Sequence, residues 1–90
     1  MYEWDEKKRL ANIEKHGLDF ADAHLVYENP AKVTIDTAFK AERRQQDLAI
    51  VEAVDGMLSL VYVRRRNYIR VISFRPASRK ERRKYAEAKR

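Results

Sequence analysis

The run Val63-Arg64-Arg65-Arg66-Asn67-Tyr68-Ile69-Arg70-Val71-Ile72-Ser73-Phe74-Arg75 sets five arginines into a segment that otherwise favours a β-strand. Guanidinium is planar, permanently charged and offers paired donors that match two oxygens of one phosphate. Tyr68 adds a ring that can stack on a base and a hydroxyl that can donate to a phosphate oxygen. Such a mixture suits single-stranded RNA, either to hold it or to cut it. Cutting needs no metal when the substrate's own 2′-hydroxyl attacks the adjacent phosphorus. The protein then supplies orientation, positive charge for the phosphorane, and a proton donor and acceptor. Arg43, Arg65, Arg70 and Arg75 are the candidates for the charge, and Tyr68 or His16 for the proton. No Asp/Glu cluster of the kind used in two-metal hydrolysis is evident, and no metal or other cofactor is expected.

Each of these residues has a plainer reading. His16 precedes Gly17 where a helix should end, and a cation there complements the helix dipole. Arg43 follows Glu42 at a strand entrance, where a surface ion pair is worth little. Strict alternation puts Ile69, Val71 and Ser73 on one face and Tyr68, Arg70, Ile72 and Phe74 on the other. Arg70 then lies among apolar neighbours, so it must meet a carboxylate or a groove open to water. Glu52 and Asp47 are the candidate partners of Arg70 and Arg75 if those two arginines are structural. Tyr68 reads equally as a packed sheet aromatic.

Ninety residues make one domain, 1–90, with 44 % hydrophobic residues to build a modest core. Cysteine is absent, so packing alone must stabilise the fold, and the cytoplasm is the default compartment. No apolar run is long enough to span a bilayer, and no signal-peptide pattern opens the chain. Charge is uneven. Residues 1–63 carry eight Lys and Arg against twelve Asp and Glu, a net of −4, while residues 64–90 carry twelve against two, a net of +10. A segment that basic attracts RNA, DNA or an acidic protein. A membrane surface fits less well, because the tail lacks the apolar stripe of an interfacial helix.

The positioning elements follow from local signals. Tyr2-Glu3-Trp4 suits a short strand. Asp5 caps a helix that Gly17 stops, with Trp4, Leu10 and Ile13 as apolar contacts. Asp19 caps a second helix to about Tyr27, with Phe20, Ala23 and Leu25 or Val26 on its buried side. Lys32 to Asp36 is a strand. Asp55-Gly56 between two β-rich runs predicts a type I′ hairpin, and "YIRVISF" a further strand. Ser78-Arg79-Lys80-Glu81 is a capping box that opens a C-terminal helix anchored by Tyr85. The expected class is α+β: two N-terminal helices, an antiparallel β-meander and a C-terminal helix.

Three pieces of the chain together resemble the BrnT family of bacterial type II toxin–antitoxin systems. The first comprises Glu3-Trp4-Asp5, Lys8, Asn12, Lys15-His16-Gly17 and Phe20; the second is Glu42-Arg43. The third comprises Arg65, Arg70, Ile72-Ser73, Arg75, Ala77-Ser78, Glu81-Arg82 and Tyr85. The chain departs from the family's pattern at Phe74, at Pro76 and in its three successive arginines, of which Arg65 best matches by spacing to Arg70. The resemblance implies a RelE-like fold, ribonuclease toxicity, and neutralisation by a BrnA-type antitoxin through which the complex binds operator DNA. Two other readings remain beside it: a non-catalytic RNA- or DNA-binding regulator, and a structural partner whose basic face serves an acidic protein.

Overall fold

The computed structural model describes residues 1–90. Local chemistry sets the helix ends where expected. Asp5 accepts from the backbone N–H groups of Lys7 (2.9 Å) and Lys8 (3.2 Å) to start α1, Glu6–His16. Gly17 ends it at φ 71°, a left-handed conformation, donating its N–H to the Ile13 carbonyl. Ser78 and Glu81 cap each other reciprocally to open α3, Arg79–Ala88. Between them the second helix is shorter than expected. Asp19 caps a single 3₁₀ turn, Phe20–Asp22, and only His24–Tyr27 is α-helical (α2). Phe20, Ala23 and Val26 are the fully buried residues there, and their spacing of three aligns them in 3₁₀ rather than α geometry.

Five strands form one sheet: β1 (Tyr2–Glu3), β2 (Val33–Phe39), β3 (Glu42–Val51), β4 (Gly56–Arg64) and β5 (Ile69–Pro76), in the order β1-β5-β4-β3-β2. The meander from β2 to β5 is antiparallel, but β1 lies parallel to β5, so the sheet is mixed. The expected Asp55-Gly56 type I′ turn is absent. Val51 pairs with Gly56 across a four-residue loop whose 3₁₀ turn, Glu52–Val54, is closed by Asp55 at φ 50°. The two-residue turn with both φ values positive lies instead at Lys40 (50°) and Ala41 (66°), between Phe39 and Glu42. It lengthens β2 past the expected end at Asp36.

One sheet face, here the core face, carries Leu58, Leu60 and Tyr62 of β4 against Phe20, Ala23 and Val26. Trp4 meets Phe20 edge-on at 6.4 Å, while Leu10, expected among the apolar contacts of α1, is 54 % exposed. The opposite face is overlaid by α3 above β3. α1 lies along β5 and closes that edge of the sheet with one side chain. Asn12 donates to the Phe74 carbonyl (2.7 Å) and the Leu18 carbonyl (2.9 Å) and accepts from the Phe74 N–H (3.3 Å). Its amide therefore does for β5 what a further strand would do. Asn12→Ala leaves these buried groups without partners and is expected to destabilise the fold by about 2 kcal/mol. The urea midpoint should fall accordingly, and an unchanged midpoint would contradict the edge-closing role.

Candidate functional site

Strict alternation fails in β5 because of one extra residue. Val61 pairs with Ser73 but Tyr62 pairs with Val71, so Ile72 is a bulge. Phe74 thereby joins Ile69 and Val71 in the core, contrary to the alternation read from sequence. Arg70, opposite Ile69 and Val71 as read, is left on the α3 face with Arg75 and Ser73 in place of Phe74. This resolves the anomaly of an arginine among apolar neighbours: it is two-thirds buried and its Nη1 donates to Glu3 at 2.7 Å. Neither Glu52 nor Asp47 is its partner. The parallel pairing of Glu3 with Arg70, 67 residues apart, makes the contact.

Beside Arg70 the same face holds Arg65, whose backbone N–H donates across the β4–β5 turn to the Tyr68 carbonyl (2.9 Å). Arg65 is half-exposed and lies 3.8 Å from Glu42, a distance without a hydrogen bond. Glu42 instead accepts from Arg44 Nε at 3.1 Å, and the Arg44 guanidinium stacks over Phe39 at 4.8 Å. A charged strip thus crosses the end of the sheet: Arg44, Glu42, Arg65, Arg70 and Glu3, with Tyr68 at the adjoining turn. The surface ion pair expected of Glu42 with the arginines after it forms with Arg44, while nothing in sequence spacing gave Glu3 a partner.

Arg75 is further along the face and has a docking role. Its guanidinium meets Glu81 in a two-pronged pair, Nη1 at 2.8 Å and Nη2 at 2.6 Å. The Ser78 N–H (2.8 Å) and Gln46 Nε2 (2.6 Å) donate to the same carboxylate, and Gln46 also donates to Ser59. α3 is therefore held on the sheet by a polar hub, with Tyr85 donating to the Ala31 carbonyl as a second anchor. The Arg75 pair, with the Ser78 and Gln46 bonds, holds the Glu81 carboxyl at about 2, while Glu81 holds the Arg75 guanidinium above its usual range. A lowered folded-state value stabilises the fold above the ordinary carboxylate pKa, near 4.3, and that stability drains away as pH falls toward 2. Between pH 5 and pH 2 the wild type should lose stability more steeply than Glu81→Gln. Parallel urea midpoints for the two across that range would contradict the hub.

The other expected site residues lie elsewhere. Arg43 alternates with Arg44 and is exposed on the core face, so the four arginines do not converge on one pocket. His16 sits at the far end of the sheet, in a groove with Asp55, Gly56, Pro76 and Arg82. Eight residue steps of β5 separate that end from Tyr68, about 26 Å of strand. No group of three or more His, Cys, Asp or Glu side chains is placed to hold a metal ion. No helix is long and apolar enough to cross a membrane.

The core face contains one charged group that no pattern in the sequence exposed. Asp47 is fully buried and accepts from Lys32 Nζ (2.8 Å), Thr34 Oγ1 (2.6 Å) and the Tyr62 hydroxyl (3.1 Å). Burial, and then the Asp47 charge, raise the Tyr62 phenol well above its usual range. Tyr62 meets Tyr27 edge-on at 5.2 Å, and Tyr27 meets Tyr2 in the same way at 5.9 Å. Tyr2 in turn donates to Glu28. The network ties β2, β3, β4 and α2 together beneath the arginine-rich end of the sheet.

Comparison with known proteins ties this arrangement to a family. A search of curated proteins finds no match to the chain. A family model described as "Ribonuclease toxin, BrnT, of type II toxin-antitoxin system" matches residues 4–81, which takes in Arg65, Tyr68, Arg70, Glu42 and the Arg75–Glu81 hub. Spanning most of the chain, that match shows that the protein belongs to the BrnT family of ribonuclease toxins.

Proposed function

We propose that the protein is a metal-independent endoribonuclease that cleaves single-stranded RNA in the cytoplasm, stops translation and growth, and is neutralised by a BrnA-type antitoxin. The antitoxin carries the complex to operator DNA. The observation that supports this best is the grouping of Arg65, Tyr68 and Arg70 with Glu42 on one open strip of the sheet. A phosphodiester laid across that strip meets two guanidinium groups from adjacent strands. Glu42 takes the proton of the 2′-hydroxyl, the 2′-oxygen bonds to phosphorus, and Arg65 and Arg70 neutralise the phosphorane. The bond from phosphorus to the 5′-oxygen then breaks as Tyr68 returns a proton to that oxygen. The products are a 2′,3′-cyclic phosphate and a 5′-hydroxyl. Arg75 acts at one remove, by fixing α3 through Glu81, and Arg43 and His16 take no part in the bond-making step.

RNA must compete with Glu3 for Arg70. That ion pair favours a second reading, in which the face binds RNA without cutting it. Induction of the protein in cells lacking the antitoxin separates the two. Growth arrest with fragmentation of total RNA is expected, and arrest with intact RNA would leave only binding.

A further inference from the structure

Arg43 and Arg64 have no place in that mechanism. Gln45 stands opposite Tyr62 in the β3–β4 ladder, and continuing the ladder by two residues sets Arg43 across from Arg64. The next step sets Glu42 across from Arg65, and the approach of those two side chains to 3.8 Å supports the extension. Like charges directly opposite on neighbouring strands repel, so a fold selected for stability alone would separate them. Neither arginine lies within 4 Å of a carboxylate, and both are exposed. Asp36, the acid nearest by register on that face, is a hydrogen-bond acceptor from Gln45 at 3.3 Å. Arg64 pairs with the core residue Ile69, so its side chain leaves the sheet on the core face. Around the β4–β5 turn Arg64 also lines a cavity of about 210 Å³ with Arg65, Arg66, Asn67 and Tyr68.

We infer that Arg43 and Arg64 form a second subsite for single-stranded RNA, on the core face. It holds the phosphate of a nucleotide flanking the one cleaved. The inference rests on RNA being the ligand of the α3 face. Arg64 and Arg65 are consecutive and point to opposite sides of one strand, so RNA passing around the β4–β5 turn meets both. An unpartnered pair of guanidiniums supplies the forked donors that a phosphodiester accepts, and its anion removes the repulsion between them. Asn67, exposed in the turn that follows Arg64, stands where it can pair with a base edge.

The test uses a fluorescent, fully 2′-O-methylated RNA, which has no attacking hydroxyl and reports binding alone. Arg64→Ala should weaken its binding about tenfold. The slope of log affinity against log salt should fall by about 0.7, one phosphate contact to a single strand. The melting temperature of Arg64→Ala should rise by a few degrees as the repulsion goes. If the wild type cuts nothing and Arg64→Ala still loses affinity, the subsite stands and the cleavage reading falls. Unchanged affinity and salt slope would overturn the subsite. So would an Arg64→Ala protein that binds RNA normally but its antitoxin poorly, because the pair would then be a protein contact.

Discussion

Arg65→Ala is expected to slow RNA cleavage by at least about a hundredfold, the usual effect of removing one donor aimed at transition-state charge. Stability should barely move. Arg65 is half-exposed, sits on a turn, and has only a 3.8 Å approach to Glu42 to lose, a surface interaction worth well under about 1 kcal/mol. The same weakness suits the residue to catalysis: its guanidinium is charged, placed by the Arg65–Tyr68 backbone bond, and not already engaged in short hydrogen bonds. Arg65→Lys restores the charge without the planar fork and should recover only part of the rate. Arg70 differs, since Glu3 holds it at 2.7 Å, and its substitution should disturb β1 as well as activity. A cleavage rate within threefold of wild type in Arg65→Ala would remove Arg65 from the chemistry. A collapse in melting temperature would make it structural.

The largest expected effect on folding comes from Asp47→Ala. The substitution strands the Tyr62 hydroxyl, which is fully buried with Asp47 as its partner, and frees Lys32 from its ion pair. Breaking a buried pair from one side destabilises by about 3–5 kcal/mol. Lys32 retains some exposure and can turn its ammonium to water, so about 3 kcal/mol is expected here. Asp47→Asn keeps an acceptor for Tyr62 and Thr34 and should lose much less. Chemical denaturation of the three proteins checks the order, and a loss below about 1 kcal/mol for Asp47→Ala would show that the network contributes little. Because β3 and β4 carry Arg65 on one face and rest on this network by the other, Asp47→Ala should also lower activity wherever the fold is only partly populated.

These two residues show where sequence reading succeeds and where it stops. Signals that act over a few residues were legible: Asp5 and Gly17 bound α1, and Ser78 with Glu81 opens α3, as read from their types and spacing. The α+β plan and the meander followed from the same punctuation. What failed depended on contacts remote in sequence. The Ile72 bulge has no Gly or Pro to announce it, yet it separates Phe74 from Arg70, which strict alternation puts on one face. The Lys40-Ala41 turn takes positive φ values without the residues that prefer them, while Asp55-Gly56, which has them, closes a longer loop. The segment Phe20–Tyr27 divides at Ala23 into a 3₁₀ turn and a four-residue α-helix, because burial at every third residue outweighs helix propensity there.

The site shows the same division. The arginines announced themselves by number, and the motifs shared with BrnT toxins by spacing, but the carboxylates that answer them did not. Glu3 reaches Arg70 through a parallel strand pair, and Gln46 reaches Glu81 across 35 residues, neither of which any local pattern encodes. Four arginines were expected in one pocket. Arg65 and Arg70 share an open strip, Arg75 is spent on docking α3, and Arg43 faces the other way beside Arg64. His16 lies at the C-terminal end of α1, away from the arginine strip.

Purified protein incubated with single-stranded RNA in excess EDTA, followed by chemical identification of the new ends, decides between these chemistries. Cutting that persists and leaves 2′,3′-cyclic phosphate and 5′-hydroxyl termini is the predicted result. Cutting abolished by the chelator, or termini carrying a 5′-phosphate, would contradict attack by the substrate's own hydroxyl at the Arg65–Arg70 strip.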